Sequence, residues 1–365
     1  MRILVGMPEK ASPGGPAACE PPFNAELRRL GHEVVAEVYA YAVANSGLGR
    51  INRVLGTARR FRECVRDGNF DLVHINTSFD TKALLRDAVI VPRLRGHSAK
   101  IFLKFHGSDA HLLETKNPVL ATLRRRLLSH ADGIGVLSSE EQVNFQRAGV
   151  AEKKIFVVNN VVEKNSQPRN QEFRRRWQLP GDRPLLLFIG RFVRTKGLLD
   201  VVAACGGLRD AGQTFLLLCL GDGPARWEAE TLVRRLKLQD QVRFFGYIPE
   251  EQTAGFYANC DVLLFPTYHT EGFPMVVFNA AAAGLPIITT RIRAAADYLQ
   301  EPENCLWAEP RRPDLLAVRI TELLKNPGLR LSMSGNNTEL ASRFSASIVT
   351  AEYLNAYREI ITPAA

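Results

Sequence analysis

Short apolar runs alternate with helix-period segments along the whole chain, and the alternation starts again once near its middle. This pattern points to parallel sheets with crossover helices, because parallel neighbours cannot be joined by a tight turn. In the first half, strands are expected at 2–7, 33–38, 71–75, 100–105, 133–137 and 154–158. A helix at 24–30 is stopped by Gly31, and Ser138-Ser139-Glu140-Glu141 fits a capping box that opens another. The polar stretch from Glu163 to Pro168 then breaks the pattern and reads as a linker. Beyond it, strands are expected at 185–189, 214–220, 242–245, 262–265 and 286–290. Helices are expected at 198–211, 225–236, 250–259, 274–283 and 313–324, with a closing helix at about 346–359 that no strand follows. The fold class is therefore α/β, with two Rossmann-like doubly wound domains whose ligand loops lie at the carboxyl ends of the strands.

A length of 365 residues is too long for one ordinary α/β domain and gives each of two domains enough chain to bury a core. No apolar run reaches bilayer-spanning length, and the run at 3–7 is too short for a signal-peptide core, so it reads as a first strand. Six cysteines are scattered without a C-x-x-C pair, which fits reduced thiols in a cytoplasmic protein. The net charge of +9 is uneven: residues 1–165 hold 24 Lys/Arg against 17 Asp/Glu, the remainder 23 against 21. A basic first half suits an anionic partner. Nucleic acid is not the expected partner, since interleaved aromatics and recognised binding motifs are missing. The sequence has no G-x-x-x-x-G-K-[ST] loop, no complete G-x-G-x-x-G after the first strand, no H-E-x-x-H, no D-x-D pair and no G-x-S-x-G elbow. No motif asks for a catalytic metal or a resident cofactor.

Two segments carry chemistry. The strand at 185–189 runs into Gly190-Arg191-Phe192-Val193-Arg194-Thr195-Lys196-Gly197 and then a helix. A glycine turn before a helix N-terminus seats anions through backbone N–H groups and the helix dipole. Arg191 and Lys196 would add a fork and a point charge suited to a diphosphate; the plainer alternative is two solvated loop cations. The second segment is Glu271-Gly272-Phe273-Pro274, followed by Asn279 and an alanine run to Gly284. Pro274 suits a first helical turn. Asn279 would lie about 7–8 Å further along the helix axis, so two points of an elongated ligand could be held. Alternatively, Glu271 is a cap or surface residue and the alanines simply pack tightly.

G-R-x4-K-G followed by E-G-F-P-x4-N-A-x3-G resembles the retaining family-4 glycosyltransferases of GT-B fold. The resemblance continues through Gly221-Asp222-Gly223-Pro224, 242–248 and 258–267, and more loosely through Gly14-Gly15, 30–34, Phe105-His106-Gly107-Ser108-Asp109 and Leu137-Ser138. It implies a domain at 1–163 on the acceptor side, a donor domain at 169–345 facing it across a cleft, and a final helix at about 346–361 crossing back to the first. It implies hexose transfer from a nucleoside-diphosphate sugar to an acceptor hydroxyl with retention and without metal, in cell-surface glycan or glycolipid assembly. The donor is then a co-substrate, and no cofactor is needed. By the same resemblance, Arg191 and Lys196 hold the diphosphate, and Glu271 with the backbone of Gly272, Phe273 and Pro274 holds the sugar. Gly246, Tyr247 and Ile248 lie near the base, Gly15 approaches the phosphates or the acceptor, and His106 lies close to the sugar. One position departs from the family: its second glutamate, assigned to the donor ribose, falls on Asn279, whose amide lacks the charge that strengthens such bonds. A relative that binds sugar nucleotides or glycans without turnover is the alternative.

Residues 51–65 carry apolar side chains at 51, 54, 55, 58, 61 and 65, with arginines at 50, 53, 59, 60, 62 and 66. This is an amphipathic helix that either packs on the core with a solvated basic face or lies on an anionic membrane beside lipid-linked acceptors. The same choice holds for Leu123-Arg124-Arg125-Arg126-Leu127. The protein is expected in the cytoplasm, with peripheral contact at the inner face of the plasma membrane.

Overall fold

The structure, a computed structural model, describes residues 1–9, 15–40, 47–96 and 98–362; Gly14 lies outside them. The chain forms two compact units. One comprises Met1–Val161, Thr270–Phe273 and Ala346–Ala365, the other Val162–His269 and Pro274–Ser345.

The first unit holds strands β1 (Arg2–Pro8), β2 (Glu33–Ala40), β3 (Leu72–Phe79), β4 (Lys100–Ser108), β5 (Gly133–Val136) and β6 (Ile155–Val157). They form one parallel sheet in the order β2-β1-β3-β4-β5-β6. All six strands were legible as apolar runs, because a sheet covered on both faces needs nearly continuous hydrophobicity. The helix Gly15–Arg29 starts earlier than its sequence suggests and runs through Pro21 and Pro22, forgoing two backbone donors. Cys19, Glu20, Phe23, Asn24 and Leu27 of this helix are all buried. The last helix, Ala346–Ile361, belongs to this unit and buries Tyr353 and Tyr357. Phe102 of β4 meets both tyrosine rings edge-on, at 6.1 and 5.3 Å between centroids. Ser138 does cap the helix Ser139–Arg147, accepting from the Glu141 N–H at 3.2 Å, while the Glu141 carboxylate takes the Leu137 N–H at 3.2 Å.

The second unit holds β7 (Leu185–Ile189), β8 (Leu216–Leu220), β9 (Val242–Gly246), β10 (Val262–Phe265), β11 (Ile287–Thr289) and β12 (Cys305–Trp307). Their order is β12-β11-β10-β7-β8-β9, again parallel. β12, with no β-branched residue, does not stand out in the sequence. The order reverses between β7 and β10, and a ligand crevice opens beyond the strand ends at such a reversal. Pro274 is the residue before the helix Met275–Ala282 and is extended at φ −70°, ψ 90°, so it caps the helix rather than occupying its first turn.

All six cysteines are free. Among the described residues, no helix is long and apolar enough to cross a membrane.

At the carboxyl edge of the second sheet the backbones nearly touch. A Cβ on Gly221, whose φ is +129°, would lie 1.9 Å from the Gly190 carbonyl oxygen. Gly221→Ala should therefore cost at least about 3 kcal/mol, combining left-handed strain with a backbone collision. Gly212, at φ +69° with open space around it, supplies the control, where alanine costs about 1 kcal/mol. Urea titration of both variants checks the difference; equal losses would mean that the close approach is absent.

Candidate functional site

In the second unit, the segment after β7 and the segment after β10 straddle the strand-order reversal. The Gly190 N–H bonds to the Leu220 carbonyl at 3.0 Å and the Phe192 N–H to the Asp222 carbonyl at 2.8 Å, so the turn after β7 is braced by β8 and its loop. Arg191 projects from this turn and is exposed. A short turn, Arg194–Lys196, and Gly197 at φ +83° then lead into the helix Leu198–Asp210. Lys196 leans across to β10, with its ammonium 5.3 Å from the centroid of Phe265. Burial, and then the charge of Arg191, bring the Lys196 ammonium down to about 8. Two cations are thus held within electrostatic reach of each other, an arrangement that favours an anion between them. The loop after β10 is tied to the same turn, through Tyr268 N–H to the Thr195 carbonyl at 2.8 Å and His269 Nδ1 to Thr195 Oγ1 at 3.0 Å. His269 is held below the usual imidazole range by burial, then by Lys196, Arg191 and Arg293, and so stays neutral near pH 7.

In the first unit, strand alternation puts His74 and Asn76 of β3 on the same face as Phe102, Lys104 and His106 of β4, in the register Asn76 opposite Lys104. That face meets Glu20 of the helix Gly15–Arg29. Lys104 Nζ lies 2.6 Å from Glu20 Oε1, and Asn76 Nδ2 donates to Glu20 Oε2 at 3.0 Å. Burial pushes the Glu20 carboxyl up, but Lys104, with His74 and His106, more than reverses this and holds it at about 2. The amide of Asn76 donates to Glu20, so its Oδ1 must accept from His106 Nε2, at 2.9 Å. His106 is neutral, since burial and then Lys104 take its imidazole well below the usual range. Its Nδ1 is consequently a bare acceptor, buried and without a hydrogen-bond partner in the structure. His74 is likewise held down, to about 4, by burial, and its Nδ1 meets the Tyr357 hydroxyl. The segment Thr270–Phe273 closes on this region of the first unit. A Cβ on Gly272 would stand 2.8 Å from the His106 carbonyl oxygen and 3.0 Å from Leu137, which requires glycine there.

The family of glycosyl transferases group 1 matches residues 169–340, and that of the glycosyl transferase 4-like domain matches residues 14–161. The chain thus joins a glycosyl transferase 4-like domain to a group 1 glycosyltransferase domain. Among curated relatives, the 2-deoxystreptamine glucosyltransferase of Streptomyces kanamyceticus is 28% identical over 65% of this chain, a match spanning 64% of that relative's length. Sucrose-phosphate synthase from Thermosynechococcus elongatus shares the fold at TM-score 0.81 and 19% identity, covering 100% of this chain and 99% of that one. HepE of Anabaena, solved in complex with UDP and glucose, does so at TM-score 0.77 and 18% identity, covering 97% and 98%. The two sheets are thus those of the GT-B fold.

The remaining sequence-derived positions fall as follows. Gly246 ends β9 at φ +70°, and its carbonyl accepts the Gly221 N–H at 2.7 Å. Tyr247 beyond it is exposed and Ile248 partly buried. Asn279 lies on the helix Met275–Ala282 and donates to Glu250 Oε1 at 3.4 Å. Glu271 and Gly272 group with His106 in the first unit, while Arg191, Lys196 and Asn279 belong to the second. Gly15 opens the helix Gly15–Arg29. Sequence reasoning passed over Glu20, Asn76 and Lys104. The signal was polar residues two apart within otherwise apolar strands, as in His74/Asn76 and Lys104/His106.

The Glu20–Lys104 pair is essentially fully buried. Removing one member leaves an uncompensated charge, so Lys104→Met should destabilise the protein by about 3–5 kcal/mol. The Glu20 carboxyl sits lower in the folded than in the unfolded chain. Its contribution is therefore complete above about pH 4.5 and is lost as pH falls towards 2. Denaturant melts of wild type and Glu20→Gln between pH 6 and 3 check this: the gap between them should narrow as pH falls, and a constant gap would contradict the assignment.

Proposed function

We propose that the protein transfers a hexose-type group from a nucleoside-diphosphate sugar to an acceptor hydroxyl, with retention at the anomeric carbon, in cell-surface glycan or glycolipid assembly. The observation that carries this reading is the Arg191/Lys196 pair beside the strand-order reversal of the second sheet, with Lys196 held over Phe265. Cations fixed before reaction stabilise charge that develops on a departing diphosphate without reorganising in the transition state. As the bond from the anomeric carbon to the phosphate oxygen breaks, the acceptor oxygen bonds the same face of that carbon. The acceptor proton passes to the phosphate oxygen, so no separate base is required. His106 Nδ1 is the acceptor that a sugar hydroxyl would need, and Glu271 with the backbone of residues 272–274 would hold the other hydroxyls. Gly246, Tyr247 and Ile248 would border the base, and Gly15 would lie near the phosphates or acceptor. UDP is the first nucleotide to test, since HepE of the same fold was solved with UDP-glucose.

Each charge-assisted contact is worth about 1.5–3 kcal/mol. Arg191→Ala or Lys196→Ala should therefore lower transfer efficiency roughly 10- to 150-fold, mostly in turnover, because leaving-group charge appears only in the transition state. The sequence has no D-x-D pair, so transfer should persist in EDTA. Radiolabelled donor assays read both. Wild-type rates in both variants would overturn the diphosphate seat, and loss in EDTA restored by Mg²⁺ would overturn the metal-free mechanism. Nucleotide binding with neither transfer nor donor hydrolysis would favour a binding protein.

Peripheral membrane contact belongs to the same proposal. In the helix Gly47–Gly68, Ala58, Phe61 and Val65 join the first unit's core and Val54 packs against it. Ile51 and Leu55 nevertheless remain 57% and 48% exposed. Arg59 is paired with Glu63 at 2.8 Å, and Arg60 donates to the Val38 carbonyl at 2.6 Å. The surface offered to lipid is thus the first turns of the helix, with Arg62 alongside. Co-sedimentation with vesicles containing phosphatidylglycerol should fall with added salt and fall several-fold in Ile51→Ser/Leu55→Ser. Absence of binding at low salt would leave only a solvated basic face.

A further inference from the structure

We propose that Glu250 reads the ribose hydroxyls of the donor nucleotide, supplying from a neighbouring helix the carboxylate that Asn279 does not carry. This rests on the reading that the second unit binds the donor.

Three observations converge on Glu250. First, it opens the helix Glu250–Asn259 directly after Pro249, at the end of the segment that leaves β9. Second, it and Tyr257 are seven residues apart, two helical turns, and so share a face. Asn279 meets both, donating to Glu250 Oε1 at 3.4 Å and hydrogen-bonding the buried Tyr257 side chain. The Asn279 amide nitrogen is therefore turned to its own unit, and its oxygen keeps a lone pair with which to accept from a ligand. Third, Glu250 remains open to solvent on one side, although the surrounding protein mass raises its carboxyl above the ordinary range. Only Oε1 is taken by Asn279, and Oε2 is available.

The placement selects the part of the nucleotide. A carboxylate repels a diphosphate, so it must act away from Arg191 and Lys196. Those cations lie on the turn after β7, whereas Glu250 opens the helix that follows β9 and meets Asn279 on the helix that follows β10. A vicinal diol has two hydroxyl hydrogens to donate. Glu250 Oε2 and Asn279 Oδ1 form a matched pair of acceptors for them, one charged and one neutral.

Glu250 also stands in the first turn of a helix, where an acidic residue is favourable for structural reasons alone, so the test must separate recognition from folding. Isothermal titration of the full chain with UDP, GDP and ADP, and with their 2′-deoxy counterparts, measures a ribose/deoxyribose affinity ratio for the nucleotide that binds tightest. The wild type should prefer the ribonucleotide about five- to tenfold. Glu250→Gln should bring this ratio close to one with little change for the deoxynucleotide. Glu250→Gln/Asn279→Glu should restore it, which a purely structural role for Glu250 would not do. An unchanged ratio in Glu250→Gln overturns the proposal, as does lost discrimination without rescue in the double variant. Arg191→Ala reports on the underlying reading: if it leaves all nucleotide affinities unchanged, or if no nucleotide binds the wild type, the donor assignment itself falls.

Discussion

Parallel strands must be joined by crossovers of one hand, and where a sheet's strand order reverses the connecting loops diverge. In the second sheet this reversal falls between β7 and β10, and the remaining features of that unit follow from it. The turns after β7 and β8 pass so close that only glycine fits at 221 and 223, where a Cβ would lie 1.9 Å and 2.6 Å from carbonyl oxygens of the neighbouring turn. This packing leaves little freedom for the loop that carries Arg191 and Lys196. The lysine's position over Phe265, the last residue of β10, depends on the same rigidity. Sequence motif and topology are one fact here, because the glycines that identify the family are those that let three strand ends converge.

The first sheet solves a different problem. It carries charge inside a layer built from apolar strands, and the cost is offset by mutual pairing. Glu20 is satisfied by Lys104 and Asn76, and Asn76 in turn fixes which nitrogen of His106 carries hydrogen. A neutral imidazole with a bare Nδ1 is the product of the whole network. The chain of contacts runs from a helix through two strands, and of its members only His106 stood out in the sequence.

What could be read beforehand divides along that line. Eleven of the twelve strands were legible, because burial on both faces forces apolar runs; β12, Cys305-Leu306-Trp307, was not, because it lacks the β-branched residues that mark the equally short β6 and β11. The loop chemistry at 190–197 and 271–279 was legible because glycine, proline and charge stand together in the sequence. The partners of those residues were not. Glu20 and Lys104 are separated by 84 positions, and Glu250 and Asn279 by 29. Nothing local joins the members of either pair: a polar Lys104 in an apolar strand does not point to Glu20, and Glu250 at the start of a helix is ordinary capping chemistry. The helix expected at 24–30 starts instead at Gly15, with Pro21 and Pro22 accommodated inside it.

The placement of the last helix has a consequence for synthesis. Tyr353 and Tyr357 lie against His74 and Phe102, so the first unit's interior contains side chains from both ends of the chain. Residues 162–269 and 274–345, the whole of the second unit, leave the ribosome before those tyrosines do. The second unit can therefore complete its core during translation, whereas the first must wait with part of one sheet face, beside the helix Gly15–Arg29, uncovered until the last helix emerges. Assembly runs against the direction of synthesis. The unit that is made first is finished last, and in the interval its exposed aromatic surface is what a chaperone would meet.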